Sequence, residues 1–214
     1  MKTLFTATLL VAAIFIAATS TARAAEYQQE ILVPILGVTM DEHPSGTVAM
    51  VIVRFTNRED SNGLAVQFKS FPGRFSRMAQ TATQQAIIRT AKAMGIECDS
   101  WTVELAVPYS GVTIYGESLS AMVALEVVAM SRGDFIQPDH VMTGGVTPDG
   151  HIAPVGAVPL KVLAAKTSHM RRVLIPDEAD PADADWENPF LMQVSPVGTV
   201  AQAYKALLDR DTER

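Results

Sequence analysis

Cysteine is almost absent from this sequence, and so are several patterns that would mark particular kinds of site. Cys98 is the only cysteine in 214 residues, so no disulfide can form within the chain. Nothing beside Cys98 would lower a thiol pKa, which argues against a cysteine nucleophile. The four histidines show no metal-ligand spacing, and no Walker-type phosphate loop occurs. We therefore expect no metal, no cofactor and no ATP-driven step.

An excess of positive charge is also missing, apart from the first residues. Without Lys2 and Arg23, the 17 basic residues fall to 15 against 23 acidic ones, a net charge near −8. Such a surface argues against nucleic acid or anionic lipid as the main partner.

The N-terminus carries the one pronounced apolar run. Lys2 precedes the apolar segment 9–18, and Ala22-Arg23-Ala24 follows it. A positive start, a short apolar core and small residues at an A-x-A site predict a secretory signal peptide at 1–24, cut after Ala24. The chain is then periplasmic or secreted. The alternative is an uncleaved membrane anchor, but the run is shorter than the roughly 20 residues that a spanning helix needs.

The remaining residues, 25–214, have the length of one domain. Segments rich in β-branched residues predict strands in the first third, and a short hairpin forms at Asp149-Gly150. Apolar spacing and helix-end signals predict helices at 75–94, 119–130, 159–167 and 199–208. We expect a single compact α+β domain with small mixed sheets and about four helices.

Ser120 lies near the start of one of these helices. Ser118 is a plausible N-cap, which places Ser120 in the first turn, where backbone N–H groups lack helical partners. Those donors and the helix dipole suit a developing oxyanion, so a serine here suits acyl transfer. The alternative is that both serines only cap the helix.

Lys161 lies near the start of another helix, two residues after Pro159. A cation is disfavoured at this end of a helix, and the neighbouring side chains are apolar. Both effects lower the pKa of an amine, as a general base near neutral pH requires. The alternative is a surface lysine whose stem covers an apolar helix.

The segments around both residues occur in a characteristic order. An acidic residue stands three positions before the serine, and a Thr-Gly strand end, a hairpin, a Pro-x-Gly turn, a lysine helix and a strand follow. These segments are Glu117 to Ser120, Met142-Thr143-Gly144, 147–153, Pro154-Val155-Gly156-Ala157, Lys161-Val162-Leu163-Ala164-Ala165 and Val173-Leu174-Ile175-Pro176. In this order, over about 71–208, the chain resembles the proteolytic domain of the Lon protease family.

The resemblance implies a Ser-Lys dyad in a stand-alone exported Lon-like domain at 25–214. Ser120 would be the nucleophile and Lys161 the base, Thr143 would orient the amine, and Glu117 would have a supporting role. The implied activity is ATP-independent endopeptidase cleavage of unfolded or loosely structured polypeptides. Family members form rings, so the resemblance also implies a homo-oligomer.

The sequence departs from the family pattern beside the serine. The family's Gly-Pro before the serine is Ser118-Leu119, the glycine after Ser-Ala is Met122, and an acidic position is Gly145. These departures support an alternative, a non-catalytic module for peptide binding or assembly. A second alternative makes Ser118 the nucleophile of a degraded Gly-x-Ser-x-Gly elbow.

Overall fold

A computed structural model of the chain describes residues 28–183, 186, 189 and 191–210. The predicted signal peptide at 1–24 lies outside these residues. So does part of the segment 177–189, whose acidic residues and prolines predict a surface loop. Among the described residues, no helix combines the length and apolar character needed to cross a bilayer.

The described part of the chain alternates between short strands and four helices. The strands are β1 (Gln28–Val38), β2 (Gly46–Asn57), β3 (Ala65–Phe68), β4 (Arg74–Phe75), β5 (Trp101–Ala106), β6 (Thr113–Ile114), β7 (His140–Met142), β8 (Gly145–Val146), β9 (Ile152–Ala153), β10 (Arg172–Pro176) and β11 (Gln193–Val197). The helices are α1 (Arg77–Ala93), α2 (Ser120–Arg132), α3 (Val158–Thr167) and α4 (Val200–Leu207). The predicted α+β class is confirmed.

The largest sheet has the strand order β1-β2-β5-β3. β1 and β2 pair antiparallel, as do β2 and β5, whereas β3 joins β5 in parallel. Val51, Val53 and Phe55 of β2 are buried, and the residues between them are less buried. This alternation, which follows from the two-residue period of a strand, packs one face of the sheet against the helices.

Helix α2 runs through the centre of the molecule. All eleven residues from Ser120 to Met130 are buried, and the helix packs against α1, α4 and the strands β1, β2, β7 and β8. Apart from Ser120 and Glu126 this buried stretch is apolar, and a helix that is apolar on nearly all sides is stable only when it is enclosed in this way. α2 ends at Gly133, whose φ of 68° is the left-handed conformation that glycine adopts easily.

A second, parallel sheet has the order β11-β10-β7, and α3 packs between it and the larger sheet. The sequence also predicts a strand at 191–194, and the strand observed there, β11, lies two to three residues further along the chain. The hairpin predicted around Asp149-Gly150 is the antiparallel pair β8 and β9. The segment after β7 and the turn before α3 thereby lie beside the start of α2, where the predicted site residues are found.

Candidate active site

Ser120 is the first residue of α2 and so lies in the first turn of its helix, as the sequence predicts. Its side chain is only 1% exposed, and its N–H donates to the carbonyl of Glu117 over 2.9 Å. The N-cap is Leu119, and no side chain caps this helix. The prediction that Ser118 is the N-cap is therefore wrong, because the chain turns one residue later and carbonyl groups accept the N–H bonds instead.

The segment after β7 fixes the turn that leads into α2. Gly144 N–H donates to the Ser118 carbonyl over 2.9 Å, and Ala121 N–H donates to the Gly144 carbonyl over 3.2 Å. Thr143 is fully buried, and its hydroxyl lies 3.4 Å from the same Ser118 carbonyl, a long contact for a hydroxyl donor. Two N–H groups at the start of α2, those of Ser120 and Ala121, are bonded to carbonyls in this arrangement.

Lys161 ends the first turn of α3, which begins at Val158, so that Pro159 is its second residue rather than its first. The Lys161 N–H makes the first bond of the helix, to the Ala157 carbonyl over 3.2 Å. Its amine turns back and donates to the carbonyl of Gly156 over 2.8 Å. The base that the sequence predicts is thus held against the turn that precedes its own helix.

Burial determines the protonation behaviour of Lys161. The side chain is 4% exposed, and loss of hydration lowers the pKa of the amine from 10.5 to about 8, while the negative charge of Asp183 opposes this shift. The prediction of a poorly hydrated amine in an apolar setting agrees with this burial. A neutral amine has a free lone pair, so it can keep its bond to Gly156 and still accept a proton.

Two cavities lie on either side of the turn before α2. The larger, about 590 Å³, is lined by Lys161, Ser118, Leu119, the second half of β1 and the segment 112–116. The smaller, about 400 Å³, is lined by Ser120 and Glu117 together with polar residues of α1. The structure therefore brings Lys161 to the Ser118-Leu119 turn, and no hydrogen bond among the described residues joins Lys161 to Ser120.

Glu117 stays exposed at the mouth of the smaller cavity. Its carboxylate lies 3.9 Å from where a Cβ on Gly145 would stand. Gly145 is the position at which the sequence departs from the acidic residue of the family pattern. Across this cavity, Arg89 donates to the Val146 carbonyl over 2.6 Å and to Gln85 over 3.0 Å.

One residue of the site has no signal in the sequence. Asp183, in the loop after β10, accepts the Ala157 N–H over 2.7 Å and the Val158 N–H over 3.0 Å. It lies 22 residues after Lys161 among several other acidic residues. Only the fold distinguishes it from its neighbours in the loop.

Metal-ligating side chains do not cluster anywhere in the described residues. No group of three or more histidine, cysteine, aspartate or glutamate side chains there could hold a metal ion. The chemistry available at the site is that of hydroxyls, an amine, carboxylates and backbone donors.

Comparison with known proteins places residues 74–208 within one family model, described as the Lon protease (S16) C-terminal proteolytic domain. The archaeal Lon protease of Archaeoglobus fulgidus is 26% identical over 177 residues, which cover 81% of this chain and 28% of that protein. The Lon protease of Mycolicibacterium smegmatis is 30% identical over 123 residues, 56% of this chain and 16% of the relative. That of Methanosarcina barkeri is 29% identical over 141 residues, 65% of this chain and 16% of the relative. The chain spans less than a third of the length of these relatives.

Proposed function

Since this chain belongs to the Lon protease (S16) family, we propose that it is a serine endopeptidase that cleaves unfolded or loosely structured polypeptides without ATP. Ser120 is the nucleophile and Lys161 the general base. The observation that carries the proposal is the buried amine of Lys161, which shares a cavity with the turn leading to Ser120 and has a pKa lowered to about 8.

Cleavage follows the acyl-enzyme route. Neutral Lys161 accepts the proton of the Ser120 hydroxyl as its oxygen attacks the peptide carbonyl carbon, which forms the C–O bond and a tetrahedral oxyanion. The protonated lysine then gives its proton to the leaving amine as the C–N bond breaks. Water then attacks the ester carbonyl carbon while neutral Lys161 takes a proton from it. The C–O bond to Ser120 breaks, and Lys161 returns the proton to the Ser120 oxygen, which restores the hydroxyl.

The arrangement of the turn sets a requirement for this route. The Ser120 hydroxyl and the Lys161 amine must come within hydrogen-bond distance, although they line different cavities. The Ala121 or Ser120 N–H must also exchange its carbonyl partner for the oxyanion, or other donors must hold it. Substrate binding is therefore expected to move the turn formed by residues 117–120.

The larger cavity is suited to an extended polypeptide. The apolar residues Ile35, Leu36 and Val38 of β1 line it, together with Met40 just after the strand. A peptide could place side chains among these groups while its carbonyl approaches the turn before α2.

The test is cleavage of casein by the purified chain without ATP, beside Ser120→Ala, Lys161→Ala and Ser118→Ala variants. We expect Ser120→Ala and Lys161→Ala each to lose about 10³-fold or more of the activity, as enzymes do when a nucleophile or its base is removed. Ser118→Ala is the matched control, because its hydroxyl lies two residues away on the Lys161 side of the turn. Absence of cleavage by the intact chain, with retained peptide binding, would support the non-catalytic alternative.

A serine-reactive probe identifies the nucleophile independently of turnover. A fluorophosphonate, followed by mass spectrometry, is expected to label Ser120 and to leave the Ser120→Ala variant unlabelled. Labelling that persists in Ser120→Ala and is lost in Ser118→Ala would identify Ser118 as the nucleophile.

Export and assembly are further parts of the proposal. We infer a periplasmic or secreted protein from the signal-peptide pattern at 1–24, and N-terminal sequencing of the protein from its host tests cleavage after Ala24. A ring of identical subunits is inferred from the family alone. Light scattering of the purified chain tests it, and a monomeric mass at working concentration would contradict it.

A further inference from the structure

The start of α3 lacks the features that usually stabilise a helix N-terminus. Its N-cap is Ala157, which has a φ of 59° in the left-handed region and a side chain that cannot cap. The first turn contains no acidic residue of its own. Asp183 supplies both missing elements, since its two carboxylate oxygens accept the N–H groups of Ala157 and Val158 and its charge lies at the positive end of the helix dipole.

The turn formed by residues 156–158 also holds Lys161. The Gly156 carbonyl accepts from the amine, and the Ala157 carbonyl accepts from the Lys161 N–H. Asp183 binds the N–H side of this turn while Lys161 binds its carbonyl side. A movement of the turn away from Asp183 would therefore carry the Gly156 carbonyl with it, and the amine would lose its acceptor.

We propose that Asp183 is a positioning residue for Lys161: its carboxylate fixes the Gly156–Val158 turn that holds the amine. Its negative charge also favours the protonated amine. This inference rests on the proposed function of Lys161 as the base. Asp183 does not touch the substrate. It acts on catalysis through the place and the charge of the amine.

Among the charged groups near Lys161, Asp183 is the main electrostatic partner of the amine. Burial lowers the pKa of Lys161 and Asp183 is the charged group that opposes it. Tyr115 lines the same cavity, and Asp180 lies close to Gly156, with an oxygen 3.2 Å from where a Cβ would stand. On α3 itself, Lys166 is exposed one turn beyond the site.

The strands packed against α3 add no charge to this cavity. Glu30 of β1 and Arg54 of β2 pair with each other at the far end of these strands. Arg172, the one charged residue of β10, bonds to Gln193 and to the Ala206 carbonyl on the α4 side. The protonation of Lys161 therefore depends on burial and on the 177–183 loop.

Three variants separate the two effects of Asp183. Asp183→Asn removes the charge and keeps a side-chain oxygen that can accept an N–H bond. Asp183→Ala removes both. Glu178→Gln is the matched control, since it removes one negative charge from an exposed position in the same loop.

Two measurements are made on each form. The first is the pH midpoint for acetylation of Lys161 by limiting acetic anhydride, read by mass spectrometry; it requires no proteolysis. The second is the pH profile of kcat/KM on a casein-derived peptide. We expect Asp183→Asn to move both midpoints to lower pH, because the anion that favours the protonated amine is gone, and Glu178→Gln to leave them in place.

A merely structural cap would give another pattern. Asp183→Asn would then leave the acetylation midpoint at the wild-type pH, and the proposal would be overturned. Asp183→Ala is expected to lower the thermal unfolding midpoint more than Asp183→Asn does; should it fail to fold, Asp183→Asn still decides. If no form cleaves peptide but the acetylation midpoint moves as expected, the proposed function fails and the relation between Asp183 and Lys161 stands.

Discussion

Helices α1 and α4 begin with local caps, whereas α2 and α3 do not. The Ser76 hydroxyl accepts the Ala79 N–H at the start of α1. At the start of α4, Thr199 and Gln202 form a reciprocal capping box. The N-caps of α2 and α3 are Leu119 and Ala157, and neither has a side chain that can accept a hydrogen bond. The two helices that carry the predicted dyad are the two without local caps.

The difference shows how tertiary contacts shape the site. A local cap stabilises only the helix to which it belongs. The start of α2 is held by the Gly144 backbone, and the start of α3 by Asp183, so each is tied to a segment distant in sequence. The positions of Ser120 and Lys161 therefore depend on the whole fold rather than on their own helices.

Replacing Lys161 by methionine gives the largest expected effect on stability and tests the cost of this arrangement. A folded pKa of about 8 against 10.5 means that burial disfavours the charged amine, which corresponds to roughly 3 kcal/mol below pH 8. Since this cost is present below pH 8 and is lost as pH rises towards 10.5, Lys161→Met is expected to be more stable than the wild type at pH 7, with a gain that shrinks at high pH. Urea unfolding at pH 7 and pH 10 measures it. Equal or lower stability of the variant at pH 7 would contradict a costly buried amine.

The pH dependence of cleavage sharpens the comparison at α3. With a pKa of about 8, the neutral fraction of Lys161 rises about tenfold between pH 7 and pH 9. We expect kcat/KM to rise by the same factor and then level off, in initial-rate assays at constant ionic strength. A value of kcat/KM that stays constant across this pH range would show that Lys161 is not the base.

Loss of a local cap has a smaller effect of a different kind. Thr199→Ala removes the acceptor of the Gln202 N–H and is expected to cost about 1 kcal/mol of unfolding free energy. Activity measured well below the unfolding temperature should be retained, because α4 lies away from both cavities beside the dyad. A large loss of kcat/KM in this variant would show that the local cap of α4 affects the site on α2 and α3.

The smallest effect is expected at Ser118. Its hydroxyl does not cap α2, so Ser118→Ala should change the unfolding free energy by less than about 0.5 kcal/mol. Measured beside Thr199→Ala, it forms a matched pair in which one hydroxyl caps a helix and the other does not. If Ser118→Ala lowered the free energy of unfolding as much as Thr199→Ala does, Ser118 would be shown to cap α2.

The contrast between the helix starts also marks what the sequence could predict. The spacing of apolar residues and the glycines at 95 and 133 predict helices α1 and α2 closely, because these signals act within a few residues. The order of motifs predicts the family, which the match over 74–208 confirms. The dyad assignment, the signal peptide and the domain limits stay predictions.

The two features that the sequence does not predict have a shared cause. Ser118 fits the chemistry of an N-cap, but the Gly144 N–H binds its carbonyl and α2 starts after Leu119. Asp183 is one of several acidic residues in its loop, and its bonds to Ala157 and Val158 exist only once β10 and α3 have packed. In both cases the decisive partner is distant in sequence, where local propensity carries no information.

The burial of Lys161 bears on how this protein can change over generations. Most substitutions destabilise a fold, yet replacing this lysine by an apolar residue of similar length relieves the free energy lost by enclosing a cation. Without selection for activity, such a substitution would therefore meet little opposition from folding stability. Under the proposed function, descendants of this chain that no longer cleave peptides are expected to lose Lys161 early.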